Sequence, residues 1–189
     1  MPNEIEAKMK VEDFGEIRQR LRALSARRVG SEMETNTFFD TPDGSLVREG
    51  KGLRVRDSRD RQTGKERHIV TFKGPQQKGE LKSREEIEFP VDDGQSAMAL
   101  LKAIGFEQVL SFEKRRETWE LDDCEVVLDE LPILGTFVEV EGPDETAVLR
   151  LREKLGLGAI PLISTGYATM LSRHLDSSGQ PGRTIRFDP

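Results

Sequence analysis

Charged residues spaced two positions apart recur along this sequence, and together they could bind a metal ion and a chain of phosphates. Carboxylates are the protein ligands that suit Mg²⁺ and Mn²⁺, while arginine and lysine donate hydrogen bonds to phosphate oxygens. Two acidic pairs are Glu4 with Glu6 and Glu139 with Glu141. The other candidates are the basic residues Lys8, Arg54, Arg56, Lys73, Arg84, Lys114 and Arg116 and the acidic residues Glu86, Glu88 and Asp129.

A spacing of two places such residues on one face of a β-strand, because side chains alternate between the two faces. One explanation is a twisted antiparallel sheet whose charged face points to solvent, which is the ordinary pattern. The other is a closed barrel with helices on its apolar exterior and the charged faces turned into the lumen. Arginine and glutamate dominate these faces, where an exposed strand face usually carries more threonine, serine and glutamine, and this favours the barrel. Its lumen could bind a polyphosphate with a divalent cation.

Hydrophobic periodicity predicts about eight strands and four helices in two β-rich halves. The predicted strands cover residues 4–11, 35–40, 52–57, 67–73, 82–90, 108–121, 124–131 and 135–141. The predicted helices cover residues 13–28, 96–104, about 144–155 and 167–175. We therefore expect one domain over residues 1–176 and, because the following residues are rich in serine, glycine, proline and arginine, a flexible tail over residues 177–189.

The composition excludes several classes of protein. In 189 residues, 29 lysines and arginines face 35 aspartates and glutamates, so the net charge of −6 offers no basic excess for general binding to nucleic acid or anionic membranes. Cys124 is the only cysteine, and His68 and His174 are the only histidines, which excludes an intrachain disulfide and a multi-histidine metal site. No stretch has the length and apolarity of a membrane span. We expect a cytoplasmic protein with a small-molecule substrate and no nucleic-acid or membrane partner.

An E-x-E-x-K motif, Glu4-Ile5-Glu6-Ala7-Lys8, lies near the N-terminus, and further motifs follow it in order. They are Phe39-Asp40-Thr41-Pro42, Leu53-Arg54-Val55-Arg56, Thr71-Phe72-Lys73-Gly74, Arg84-Glu85-Glu86-Ile87-Glu88, Glu113-Lys114-Arg115-Arg116, Val127-Leu128-Asp129 and Leu134-Gly135-Thr136-Phe137-Val138-Glu139-Val140-Glu141. This series resembles the CYTH superfamily of triphosphate tunnel metalloenzymes, named for class IV adenylyl cyclases and thiamine triphosphatase. The resemblance runs from about residue 3 to residue 175.

The resemblance implies an α+β fold, in which an eight-stranded closed antiparallel β-barrel carries helices on its outside and a triphosphate along its axis. It also implies that Mg²⁺ or Mn²⁺ binds Glu4, Glu6, Glu139 and Glu141, with Asp129 close by. The phosphates would bind Lys8, Arg54, Arg56, Lys73, Arg84, Lys114 and Arg116. Glu86 and Glu88 would be either ligands of a second metal site or partners that hold the arginines in place.

Three functions remain open. The Leu134 to Glu141 strand, followed by a helix and a late Tyr167-x-x-Met170 segment, is most similar to the class IV adenylyl cyclase branch, which forms cyclic AMP and pyrophosphate from ATP. The same lumen would serve a triphosphatase acting on tripolyphosphate, thiamine triphosphate or a nucleoside triphosphate. A non-catalytic polyphosphate-binding module is the third. The general base could be Lys73 or Lys8 with a depressed pKa, or a lumen carboxylate. The branch also implies a homodimer.

The remaining chemically active side chains are interpreted as structural. Tyr167 and Trp119 are expected to pack in the core or at its rim. His174 lies on an apolar helical stripe, and His68 is expected on the outer side of its strand. Cys124 has no histidine partner nearby in the sequence, so we do not expect it to be a nucleophile.

Overall fold

Alternating apolar and polar residues form most of the secondary structure in the computed structural model, which describes residues 3–77, 81–178 and 183–188. The strands are β1 (Asn3–Val11), β2 (Arg27–Asp40), β3 (Gly52–Asp60), β4 (Glu66–Lys73), β5 (Lys82–Val91), β6 (Glu107–Leu121), β7 (Cys124–Leu131), β8 (Gly135–Gly142) and β9 (Thr184–Ile185). The helices are α1 (Gly15–Ala23), α2 (Ser45–Arg48), α3 (Gly94–Ala103), α4 (Glu145–Lys154) and α5 (Tyr167–Ser178).

The first eight strands form a closed antiparallel barrel. Their order is β2-β3-β4-β5-β1-β8-β7-β6, and β6 pairs again with β2. The closing pair is long, since Arg27–Asp40 of β2 runs against Glu107–Glu120 of β6, with bulges at Arg28/Gly30 and at Phe38/Phe39. Closure leaves none of the eight strands as a long free edge. The predicted closed eight-stranded barrel is confirmed.

Helices α1 and α4 cover the apolar outer face of the barrel. Ala7 and Met9 of β1 lie opposite Val140 and Val138 of β8, and all four are fully buried. They belong to a cluster with the buried residues of the two helices, which are Ile17, Leu21, Val148 and Leu151. Helix α3 covers a second part of the outer face through Met98, which packs with the buried residues of β3 and β4. Burial of these faces fixes which face of each strand points inward.

Helix α5 differs, because it packs against residues that share the inward face of their strands. Phe112 precedes Lys114 by two residues, and Phe137 precedes Glu139 by two, so these aromatic rings continue the inward rows. Both belong to a buried cluster with Leu171 of α5. Helix α5 therefore contacts the barrel at the end where β6 and β8 begin and where the inward residues become apolar.

Several segments differ from the sequence prediction, among them the first helix and the C-terminal residues. The predicted helix over residues 13–28 ends at Ala23, because Ser25 has a positive φ of 60° and Arg27 already pairs with Glu120 in the barrel. The segment from residue 177 was predicted to be a flexible tail. In the structure α5 continues to Ser178, and Thr184–Ile185 runs parallel to β6, with Ile185 buried in the cluster at α5. Within the described residues, no helix has the length and apolarity needed to cross a membrane.

Candidate active site

The inward faces of the strands line one cavity of about 1210 Å³, which we call the interior cavity. The basic residues that line it include Lys8, Arg54, Arg56, Lys73, Arg84, Lys114 and Arg116, which is the complete predicted set. Acidic residues that line it include Glu6, Glu86, Glu88, Glu139 and Glu141. Two predicted acidic residues remain. Asp129 is fully buried in the wall. Glu4 lies opposite Arg84 in the pairing of β1 with β5, and the structure does not describe its side chain.

One wall of the interior cavity contains a buried ion network on β2, β6, β7 and β8. Arg116 binds Asp129 with two bonds, Nε to Oδ1 at 2.8 Å and Nη2 to Oδ2 at 2.6 Å, and it also reaches Glu139 at 2.9 Å. The Lys114 ammonium lies 3.2 Å from both Asp129 and Glu34. Strand register causes this arrangement, because Arg116 faces Asp129 and Lys114 faces Glu34 across neighbouring strands. Both cations are thus held in place by the protein alone.

Burial and neighbouring charges shift the pKa values of ionisable groups in this wall. Burial would raise the pKa of Glu34, but Lys114 and Arg116 outweigh it and hold that pKa well below its usual range. Burial also disfavours charge on Arg116, yet Asp129 raises the pKa of Arg116 well above its usual value. Burial and the neighbouring Arg116 lower the pKa of Lys114. Glu34 was not predicted from the sequence, although it is a central carboxylate of the network.

The opposite wall holds its cations through two of the glutamates of β5, Glu86 and Glu88. Glu86 contacts Lys73 and accepts a 3.0 Å hydrogen bond from Arg84 Nε. Glu88 accepts a 3.2 Å bond from Arg54 Nη2 and lies 3.8 Å from Arg56. Two roles were considered for these glutamates, as ligands of a second metal site or as partners of the basic side chains. The contacts agree with the second role. Burial and the neighbouring Arg56 lower the pKa of Arg54 to about 10.

Lys8 lies between two of the predicted metal ligands. Its ammonium is 3.2 Å from Glu6 and 3.0 Å from Glu139, and the side chain is almost completely buried. Burial opposes the charged form, but Glu139 and Glu6 outweigh it and raise the pKa of Lys8 above its usual value. The prediction of a depressed pKa at Lys8 is therefore wrong, because two carboxylates stabilise its proton. A lysine with a raised pKa is a poor general base.

Three carboxylates form a row across β1, β8 and β7. Glu6 lies directly opposite Glu141, and Glu141 lies directly opposite Glu125, and all three side chains line the interior cavity. Glu125 was not predicted, and it forms no hydrogen bond or ion pair with any residue that the structure describes. Burial raises its pKa. Like charges placed directly opposite each other destabilise a sheet, so this row is most favourable when a cation binds there.

The donors in this row fit Mg²⁺ or Mn²⁺. They are carboxylate oxygens, which hard divalent cations prefer. Within residues 3–77, 81–178 and 183–188, no group of three acidic, histidine or cysteine side chains is arranged to hold a metal ion by itself. Mg²⁺ usually keeps several waters and binds one or two carboxylates together with substrate phosphates. The row therefore fits an ion that enters with a phosphate ligand.

Other chemically active side chains lie away from the interior cavity, with one exception. Trp119 is buried, and its indole N–H donates a 2.8 Å bond to Glu117. His68 Nδ1 lies 2.7 Å from an Asp57 carboxylate oxygen. Burial raises the pKa of the Cys124 thiol, which makes it a poor nucleophile. Tyr167 is the exception, since it lines the interior cavity although the sequence predicted only a packing role.

Comparison with known proteins agrees with this architecture. The CYTH domain family model matches residues 2–167. A putative adenylate cyclase of Methanocaldococcus jannaschii is 30% identical over 138 residues, which cover 73% of this chain and 75% of that protein. The adenylate cyclase CyaB of Aeromonas hydrophila is 30% identical over 182 residues, which cover 91% of this chain and 90% of that protein.

Solved structures share the fold. A Pyrococcus horikoshii protein matches with a TM-score of 0.79 and 26% identity, over 90% of this chain and 99% of that chain. A putative adenylyl cyclase from Hippeastrum, described as having a dominant triphosphatase activity, matches with a TM-score of 0.67 and 21% identity, over 95% of this chain and 96% of that chain.

Proposed function

Since the chain belongs to the CYTH family, we propose that its interior cavity binds a triphosphate with Mg²⁺ or Mn²⁺ and that the protein is an adenylyl cyclase of class IV type, which converts ATP to cyclic AMP and pyrophosphate. The observation that carries this proposal is the convergence of the seven basic side chains on one cavity. A linear polyphosphate has the length and charge to contact both cationic walls at once. Two homologues named as adenylate cyclases support the choice of reaction.

Catalysis in this cavity would be mainly electrostatic. Arg116 and Lys114 are held by Asp129 and Glu34 before substrate arrives, so they stabilise charge on the phosphates without reorganisation. Glu6, Glu141 and Glu125 would be the carboxylates that hold the divalent ion together with the phosphates. When bound, that ion would act as a Lewis acid toward phosphate oxygens. Lys8 would contribute a fixed positive charge, because its pKa is raised.

The cyclase reaction also needs a group that accepts the proton of the ribose 3′-hydroxyl. Lys8 does not suit this role, because Glu6 and Glu139 stabilise its charged form. Lys73, which lines the opposite wall, and a carboxylate of the cavity that does not bind the metal ion remain as candidates. Either would act as a general base only from within hydrogen-bond reach of the hydroxyl.

The second candidate is a triphosphatase acting on tripolyphosphate, thiamine triphosphate or a nucleoside triphosphate. Its support is that the contacts we assign in the interior cavity recognise phosphates and a cation, which every triphosphate offers. Water would then attack the terminal phosphorus. A non-catalytic polyphosphate-binding module is less well supported, because a carboxylate row without a cation would repel the ligand that such a module binds.

Phosphorus NMR of the purified protein distinguishes these functions. ATP and tripolyphosphate are incubated in parallel with Mg²⁺ or Mn²⁺, and EDTA controls are run beside them. We expect metal-dependent formation of cyclic AMP and pyrophosphate from ATP. Orthophosphate from tripolyphosphate, with little use of ATP, would establish the triphosphatase instead. Binding of tripolyphosphate without turnover of either compound would overturn the enzymatic proposal.

A further inference from the structure

The Tyr167 hydroxyl is a buried donor without a partner. Tyr167 is 9% exposed, and its oxygen makes no hydrogen bond within the part of the chain that the structure describes. Buried hydroxyl groups nearly always have a partner, because an unsatisfied one loses its bonds to water without compensation. Tyr167 lines the interior cavity, so a ligand in that cavity could be the missing partner.

The surroundings of Tyr167 show which charge such a ligand would carry. The Lys8 ammonium lies 4.3 Å from the centroid of the Tyr167 ring, and the Lys114 ammonium lies 5.7 Å from it. Both lysines line the interior cavity. Two ammonium groups beside the Tyr167 ring provide, together with its hydroxyl, three donating groups, which suits an anion with several oxygens.

The start of α5 adds a further positive contribution at the same place. Helix α5 is 12 residues long and begins at Tyr167. Residues just before and after its start also line the interior cavity, among them Thr165, Gly166 and Ala168. The first N–H groups of a helix lack partners within the helix, and the helix dipole favours anions there. The buried hydroxyl and the helix start therefore both favour an anion.

The hydroxyl remains a donor under ordinary conditions. Burial, and then the negative charge of Glu139, raise the pKa of Tyr167 well above its usual value. Its ring is fixed by an edge-to-face contact with Phe137, at 5.1 Å between ring centroids. The proton is thus retained, and the ring that carries it cannot easily turn away.

We propose that the Tyr167 hydroxyl donates a hydrogen bond to a non-bridging phosphate oxygen of the triphosphate, at the position beside Lys8 and Lys114. This proposal rests on the proposed function and names a phosphate-binding residue at the α5 end of the interior cavity. The hydroxyl contacts the phosphate directly and needs no metal ion to do so. The structural cost of leaving this donor unpaired in the free protein is recovered when the ligand binds.

The Tyr167→Phe variant tests this assignment, because it removes the hydroxyl and keeps the ring. A hydrogen bond to a charged group contributes enough that tripolyphosphate should bind about 10- to 100-fold more weakly. Isothermal titration calorimetry with tripolyphosphate measures this in EDTA and again with Mg²⁺, and the loss should appear in both. The thermal midpoint of the free variant should equal or exceed that of the wild type, since no protein hydrogen bond is lost.

Ser111→Ala is the matched control. Ser111 is also a buried hydroxyl, but it lies outside the interior cavity and has a protein partner, Thr37, at 3.3 Å. Its removal should lower the thermal midpoint and leave tripolyphosphate affinity unchanged. Tyr167→Phe is thus expected to lower tripolyphosphate affinity without lowering stability, whereas Ser111→Ala is expected to lower stability without lowering affinity.

Three results would overturn the assignment. Equal tripolyphosphate affinity of Tyr167→Phe and the wild type would show that the hydroxyl does not bind phosphate. A lower thermal midpoint of the free variant would show that the hydroxyl has a structural role instead. Weaker binding with Mg²⁺ but not in EDTA assigns the hydroxyl to the metal site. Failure of the wild type to bind tripolyphosphate under both conditions is a different outcome, since it contradicts the proposed function and this inference together.

Discussion

The Glu141→Gln substitution is expected to reduce metal-dependent turnover by about a thousandfold, because stabilisation of phosphoryl charge by a bound metal ion is worth several kcal/mol. Glu141 is the central carboxylate of the row, opposite both Glu6 and Glu125. Glutamine keeps the size of the side chain and removes its charge, so the barrel should fold normally. Measurements of kcat against Mn²⁺ concentration, with circular dichroism of the variant, test this expectation.

Glu6→Gln should have the same effect on turnover, and it also removes the ion pair between Glu6 and Lys8. The control is Glu130→Gln on β7. Glu130 is partly exposed and pairs with Arg115 at 3.3 Å, so the same loss of charge occurs away from the interior cavity. This control should keep full activity. Undiminished turnover by Glu141→Gln would show that the metal ion does not bind at this carboxylate row.

The Arg116→Ala substitution is expected to raise KM and lower kcat together. Arg116 is held by Asp129 and Glu139 with its charge facing the interior cavity, so it can bind phosphate both in the ground state and in the transition state. Loss of one preorganised donor of this kind typically lowers kcat by about 10²- to 10³-fold. Steady-state kinetics with ATP and with tripolyphosphate separate the two parameters.

The same substitution should also destabilise the protein. Asp129 is fully buried and would keep only Lys114 as a close cation, and breaking a buried ion pair typically costs about 3–5 kcal/mol. Arg115→Ala is the matched control, because Arg115 is the next residue and its ion pair with Glu130 is partly exposed. Its loss should cost about 1 kcal/mol or less in free energy of unfolding. Equal urea midpoints for the two variants would contradict the buried network.

Alternation of residues was sufficient to place the predicted basic residues in the interior cavity. Arg54 and Arg56 share one face of β3, and Lys114 and Arg116 share one face of β6, so a closed barrel must turn each pair to the same side. Val55, the apolar residue between Arg54 and Arg56, packs in the outer cluster with Met98, so that arginine pair lies on the inside. This is why the whole predicted basic set lines one cavity.

Residues whose position depends on register or docking could not be predicted in this way. Glu34 was missed because the predicted second strand began at Thr35, whereas β2 begins at Arg27. Glu125 follows an acidic turn, and only the pairing with Glu141 shows that it belongs to the carboxylate row. Tyr167 lines the cavity because α5 packs on the inward face, and no periodicity within α5 indicates that contact.

The raised pKa of Lys8 was unpredictable for a related reason. Its carboxylate neighbour Glu139 is distant in sequence and becomes adjacent only through the pairing of β1 with β8. The same holds for Glu86 and Glu88, whose role as partners of basic residues follows from contacts between β4, β5 and β3. The sequence defines which groups face the cavity, and the register defines which groups neutralise each other.

A crystal structure of the protein with Mn²⁺ and tripolyphosphate tests the central claim most directly, because the anomalous signal of manganese locates the ion without ambiguity. We expect the manganese peak at the carboxylate row of Glu6, Glu141 and Glu125 and the phosphates between the two cationic walls. A manganese ion bound elsewhere, or tripolyphosphate bound only on the outer surface of the barrel, would contradict the assignment of the interior cavity as the active site.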